Sequence, residues 1–394
     1  MVLKQALNNN IFGTVLVILL VVAIGACTTV YKKEGTDGFR RLLPGYITDS
    51  IYLWPGNPFS AAKANTGRYL FYDRRMSVNQ SKSCASCHAP VFSFTDSYRR
   101  SIGALGDNVQ HNARALVNIV FNRYLTAADS TLHFPEQQID NPMFHDQPAE
   151  LGWKGNEETI IARLRKDSFY RSQLPRLFPD DRDPFTTSNL QQCISSFIKT
   201  IVAVDAPYDR YAYLKDSTAL TTAQLNGMRL FFSDRLHCSA CHGGINFSQP
   251  ALRSANGEPA YYQNTGLYNI NGTGNYPAGD QGLFELTKRP ADKGRFLVPT
   301  LRNLAFTAPY LHNGSAESLE EVVTIYENGG RNTAAGDMKG DGRRNPHKNP
   351  LVSGFVITPR EKKDLIGFLM ALSDSAVCNN PQYANPFTKD ETQH

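Results

Sequence analysis

Cys84-Ala-Ser-Cys87-His88 is the stretch on which the reading of this chain turns, and Cys238-Ser-Ala-Cys241-His242 repeats it. Working outward, each motif follows the same kind of segment. The first is preceded by Gly67-Arg-Tyr-Leu-Phe71-Tyr-Asp-Arg74, the second by Gly227-Met-Arg-Leu-Phe231-Phe-Ser-Asp-Arg235. Both segments read as short amphipathic helices with a Leu-Phe pair. Thr221-Thr-Ala-Gln-Leu has the composition of an N-cap and first turn for the second of them. Two copies of one unit predict two similar domains, not a solenoid.

The spacing states a chemistry. Two thiols and an imidazole within one helical turn can form thioethers to both vinyl groups of a haem and set the histidine beneath its iron. The alternative is zinc held by paired CxxC units, which are usually roughly 15–20 residues apart. Here about 150 residues separate the pairs, and each ends in His. The motifs therefore predict two covalently bound haem c groups. They attach through Cys84, Cys87, Cys238 and Cys241, with His88 and His242 as proximal iron ligands.

The chain of 394 residues is long enough for two cores. Its formal net charge of +5 is mild and lacks a long basic run, which argues against a nucleic-acid partner. Lys4 and the apolar stretch from Ile11 to Ile24, ending Gly25-Ala26-Cys27, read as a signal peptide over residues 1–27. The end of this segment resembles a bacterial lipobox, implying cleavage before Cys27 and lipid attachment to its sulfur. An uncleaved anchor is the alternative, although the run is short for a bilayer span. The expected location is the periplasmic side of a bacterial membrane, with the lipid as tether. Cys193 and Cys378 are left as either a disulfide or two buried thiols.

Residues 28–60 are expected as linker and lead-in, 61–212 as a first haem domain, 213–380 as a second, and 381–394 as a tail. Glu157 to Phe178, Leu190 to Val204, Leu319 to Tyr326 and Pro359 to Leu372 carry helical apolar spacing. Ser248 to Asp280 shows no period and reads as ordered loop. Strand runs are scarce. The expected class is mainly α, as two cytochrome c-like haem domains packed together with long ordered loops.

Downstream residues add a family. Leu297-Val-Pro-Thr-Leu-Arg-Asn303, Thr307-Ala-Pro-Tyr-Leu-His-Asn-Gly314 and Leu319-Glu-Glu-Val-Val-Thr-Ile-Tyr326 resemble the C-terminal half of the bacterial di-haem cytochrome c peroxidase/MauG family. Phe144-His-Asp-Gln-Pro-Ala-Glu150-Leu-Gly, His237 to Phe247, Asn264-Thr-Gly-Leu-Tyr-Asn, and Gly329-Gly-Arg through Arg344-Asn-Pro are most similar to its MbnH-type branch. The resemblance covers nearly all of residues 61–375. It implies an oxidoreductase using hydrogen peroxide at the N-terminal haem, with the C-terminal haem relaying oxidising equivalents. The reducing partner is either a small redox protein, as in the peroxidases, or an oxidised partner protein, as in MauG.

Residue roles follow from the same resemblance. Glu150 matches the family's distal glutamate. A carboxylate whose pKa is raised by burial can move the peroxide proton from one oxygen to the other. Tyr326, fourteen residues after His312, matches the position filled by Met in the peroxidases and Tyr in MauG, making it the second haem's far ligand. Asn112, 24 residues after His88, matches an inter-haem calcium ligand, with Thr307 and Pro309 as further oxygen donors. His312 is expected to be structural. Many relatives place a tryptophan between the haems. Tyr124-Leu-Thr-Ala-Ala-Asp129 has none, and Trp54 and Trp153 lie elsewhere. A rival reading is a non-enzymatic electron carrier whose second iron is closed by Met338.

Overall fold

The computed structural model describes residues 38–48, 51–254, 257 and 260–387. The signal-peptide and Cys27 expectations lie outside these residues. The principal helices are α1 (Ala61–Tyr72), α2 (Pro135–Phe144), α3 (Glu157–Lys166), α4 (Ser168–Leu177), α5 (Thr187–Lys199), α6 (Pro207–Ala212), α7 (Thr222–Phe231), α8 (Leu319–Glu327) and α9 (Pro359–Met370). Among the described residues, strand is confined to two-residue ladders, including β1 (Tyr262–Gln263) against β2 (Phe296–Leu297). The mainly α expectation holds.

Helix ends follow local chemistry. Thr221 accepts from Gln224 N–H and the Gln224 side chain returns the bond, a capping box that starts α7. The helical run expected from 157 to 178 is two helices. Asp167 adopts an extended conformation, and its carboxylate caps Phe169 N–H at the start of α4.

Each domain crosses two helices at a glycine. A Cβ on Gly67 in α1 would lie 1.9 Å from the Cys193 carbonyl oxygen in α5. On Gly227 in α7 it would lie 1.9 Å from the Asp364 carbonyl oxygen in α9. Both neighbours are backbone and cannot step aside. Gly67→Ala is therefore expected to destabilise the protein by about 2–3 kcal/mol or more. The Tm should fall by roughly 5–10 °C in a thermal scan. An unchanged Tm would show that the helices can separate without loss.

The duplication extends beyond the cysteine motifs. Asn118 and Asn303 both adopt left-handed backbone ahead of a 3-10 turn. Asn118 Nδ2 donates to the Ala203 carbonyl (2.8 Å), and Ala203 N–H returns to Oδ1 (2.7 Å). Asn303 does the same with Asp374, at 3.0 and 2.9 Å. Each asparagine thus ties the motif loop to the chain leaving the domain's last helix.

Two segments expected outside the domains join the first core. Phe39, Ile47 and Trp54, in the expected linker, are buried there. Trp54 Nε1 donates to the Asn122 carbonyl at 3.0 Å. From the expected tail, Tyr383 is buried in the same core and donates to the Thr200 carbonyl at 2.6 Å. Burying these aromatic side chains outweighs the cost of ordering the segments that carry them. The C-terminal strap also holds the second domain against the first. Arg302 and Asp209 form a fully buried ion pair at 2.8 Å, and Asn246 Nδ2, four residues after His242, donates to Asn122 Oδ1 beside the first core at 2.8 Å.

Candidate haem and peroxide site

Both cysteine motifs form one tight turn, Cys84–Ser86 and Cys238–Cys241. The histidine ring then folds back on its own loop. His88 Nδ1 donates to the Phe94 carbonyl (2.9 Å), and His242 Nδ1 to the Phe247 carbonyl (3.2 Å). Left-handed backbone at Phe94 and Phe247 aims these carbonyls. Fixing Nδ1 as the donor leaves Nε2 as the lone-pair nitrogen, the form a metal binds. Burial lowers the pKa of both rings, that of His242 to about 4, so both are neutral.

All four motif thiols are free. Burial pushes Cys84 and Cys238 up to about 12 and Cys87 and Cys241 up to about 11. Such thiols are protonated at neutral pH, which disfavours a role as free nucleophiles. Two free thiols beside a neutral imidazole in each domain fit covalent attachment of a haem c. Cys193 and Cys378 are also free.

The first site acquires its carboxylate through backbone contacts. Ala104 N–H donates to the Glu150 carbonyl at 2.8 Å, and Val78 N–H to the Leu151 carbonyl at 2.9 Å. Gly103 lies against Ala149 so closely that a Cβ would meet its carbonyl oxygen at 2.3 Å. These contacts clamp Glu150 between the segment entering the motif and the loop leaving it. Its side chain is near enough to both Cys84 and Cys87 to raise their pKa values. Burial raises the Glu150 carboxyl above its ordinary value. Among the described residues, no hydrogen bond or ion pair holds that carboxylate.

Tyr326 stands at the second site. Ser318 caps α8, which packs Leu319 and Val323 into the second core. Tyr326 lies on the same helix face, one turn on. Burial, and then the neighbouring thiols of Cys241 and Cys238, raise its phenol well above the ordinary value. Met338 is instead 38% exposed.

Other expected residues gather at the domain junction. Asn112 N–H donates to the His312 carbonyl at 2.8 Å, while the Asn112 amide donates to Tyr98 O. Thr307 and Pro309 lie on the turn leading to His312. The His312 ring stacks on Phe296, with centroids 3.6 Å apart. Tyr124 packs against Tyr261 and Tyr262 at 5.1 and 5.6 Å. Trp153 is fully buried and donates to the Met76 carbonyl, a core role.

Sequence reading missed Asp280. Its carboxylate accepts from His111 Nε2 at 2.8 Å, and His312 Nε2 lies 3.4 Å from its other oxygen. Burial alone would raise this carboxyl, but the two imidazoles outweigh it and hold it well below the usual range. Burial lowers His312, partly offset by Asp280. Both folded-state pKa values are thus depressed. Their stabilisation is present above the unfolded values, ~6.5 for His and ~3.9 for Asp, and is lost as pH falls. The urea midpoint is expected to drop between pH 7 and pH 4, and to drop more in Asp280→Asn, which removes the group that partly offsets the lowering of His312. A flat midpoint over that range would contradict this account.

Known proteins share this architecture. The family described as di-haem cytochrome c peroxidase matches residues 61–218. The cytochrome-c peroxidase IdrP1 of Pseudomonas sp. (strain SCT) is 32% identical over 345 residues, covering 81% of this chain and 83% of that protein. The methylamine utilization protein MauG of Methylorubrum extorquens is 26% identical, covering 83% and 82%. A solved MauG-like protein associated with microbial copper homeostasis superimposes with a TM-score of 0.82 at 38% identity. It covers 88% of this chain and 99% of its own. With two matching motif domains and these relatives, the chain belongs to the di-haem cytochrome c peroxidase family, oxidoreductases that act on peroxide with two haem c groups.

Proposed function

We propose that hydrogen peroxide reacts in the first domain and that the second domain draws the electrons from a partner protein, as MauG-type enzymes do. The observation that carries this reading is Tyr326, whose buried phenol faces Cys238 and Cys241 while Met338 is exposed. When bound, haem supplies an iron that takes up peroxide and a porphyrin able to hold oxidising equivalents.

The chain's residues do the rest. Cys84 and Cys87 would hold the first haem through thioethers, with His88 Nε2 as the nitrogen available to its iron, and Cys238, Cys241 and His242 would do the same for the second. Glu150 accepts the proton from one peroxide oxygen and delivers it to the other, so that water can leave. Its lack of a competing partner and its raised pKa suit both halves of that transfer. The Tyr326 oxygen would close the second iron, and a phenolate donor there would keep its potential low, which suits storage of oxidising equivalents over rapid exchange with a carrier.

Asn112 Oδ1, Thr307 and the Pro309 carbonyl are proposed as oxygen donors to a calcium ion between the domains. The Asn112 amide is already engaged with Tyr98, which leaves Oδ1 free to face a cation. Lipid on Cys27 would tether the protein on the periplasmic side of the membrane.

EPR of the oxidised protein tests the assignment. One high-spin ferric signal that responds to peroxide and one low-spin signal are expected. Two low-spin signals in every redox state would make the protein an electron carrier. Turnover with a reduced small cytochrome then separates the partners: slow turnover is expected, and fast turnover would assign a carrier-fed peroxidase.

A further inference from the structure

Arg114 brings a charge to the domain junction with no carboxylate among the described residues to answer it. Its backbone belongs to the first site. Leu116 N–H donates to the same Phe94 carbonyl that takes the His88 ring, and the Arg114 carbonyl also faces that ring. The side chain runs inward, where Nη1 donates to the Leu125 carbonyl at 3.3 Å. No Asp or Glu pairs with it among the described residues. Tyr262 stands beside the guanidinium. However, burial raises that phenol's pKa and its hydroxyl donates to the Asp129 carbonyl at 2.8 Å, so it is neutral. The Asp129 carboxylate is turned away, accepting from Thr131 N–H and hydroxyl at 2.7 and 2.6 Å.

The second domain provides the contrast. Pro299 occupies the position equivalent to Arg114, its carbonyl facing the His242 ring. The buried arginine of that segment, Arg302, has Asp209 as counter-charge. A guanidinium held out of water without an anion is costly, so Arg114 needs a partner that the described residues do not supply.

We propose that Arg114 is the counter-charge for a propionate carboxylate of the haem carried by His88, and that it raises that haem's reduction potential. The inference rests on the reading that Cys84, Cys87 and His88 carry a haem. A guanidinium fork suits a carboxylate in two-point contact. A fixed positive charge near the iron favours the reduced state, which bears one less positive charge. Arg114 is a binding and positioning residue, since it does not touch peroxide.

Redox titration of the purified holoprotein, following both haems optically, tests this. Arg114→Gln should lower one midpoint potential and leave the other in place, with both haems still attached by mass. Arg114→Lys should keep the wild-type potential. Unchanged potentials in Arg114→Gln with two haems attached would overturn the proposal while leaving the haem assignment intact. A mass showing no haem on the first motif of the wild type would instead overturn the assignment itself. If Arg114→Gln does not accumulate, resonance Raman of Arg114→Lys decides. A shifted propionate bending band supports the contact, and an unmoved band overturns it.

Discussion

Glu150→Gln is expected to slow the reaction with hydrogen peroxide by roughly 10²–10⁴-fold, the usual contribution of a positioned general acid–base group. Gln keeps the shape of the side chain and loses the site that accepts the proton. Both haems should remain attached, because Glu150 contributes only its backbone to the clamp formed by Ala104 and Val78. The measurement is stopped-flow mixing with peroxide, followed in the Soret region. The pH profile supplies a second readout. Peroxide must give up its proton first, so the carboxylate form is the active one. The wild-type rate should fall as pH drops through a value above the ordinary glutamate range, since burial raises this group. Glu150→Gln should lack that limb. Wild-type rates in the variant would remove Glu150 from the chemistry.

The second large effect is expected at Tyr326. Tyr326→Met should raise the reduction potential of the second haem by on the order of 0.1 V or more, since axial ligands tune haem potentials over about 0.8 V. Thioether sulfur favours reduced iron, whereas phenolate oxygen favours oxidised iron. The replacement fits the site, because Tyr326 lies on the face of α8 that carries Leu319 and Val323, and among the described residues no hydrogen bond fixes its hydroxyl. Redox titration should show one potential moving and the other staying. With the potential raised, turnover with a reduced small cytochrome should rise and oxidation of a partner protein should fall. An unmoved potential would mean that another group closes the second iron.

These two residues mark how far sequence reading reached. Glu150 and Tyr326 were identified through family resemblance, and nothing in their local spacing distinguishes them from other surface or helix residues. Glu150 lies 62 residues beyond His88, and it meets Cys84 and Cys87 because loops from both sides of the motif bond its backbone. The Asn118 and Asn303 equivalence was present as Ala115-Leu-Val-Asn118 and Thr300-Leu-Arg-Asn303. Two shared residues in four are too few to signal a repeat, yet both asparagines make the same bonds in the fold.

What the sequence determined by itself is the attachment chemistry and the twofold plan. Two thiols and a histidine within five consecutive residues have their relative reach set by one turn of backbone, so no distant contact is needed to interpret them. The capped helix before each motif is equally local. Tertiary structure decided everything that depends on partners far along the chain. It drew Phe39, Trp54 and Tyr383 into the first core, matched Arg302 to Asp209, left Arg114 without a carboxylate among the described residues and set Asp280 between two histidines. Burial and charge pairing at those positions arise when separate segments exclude water together, and that outcome is not encoded in any short stretch.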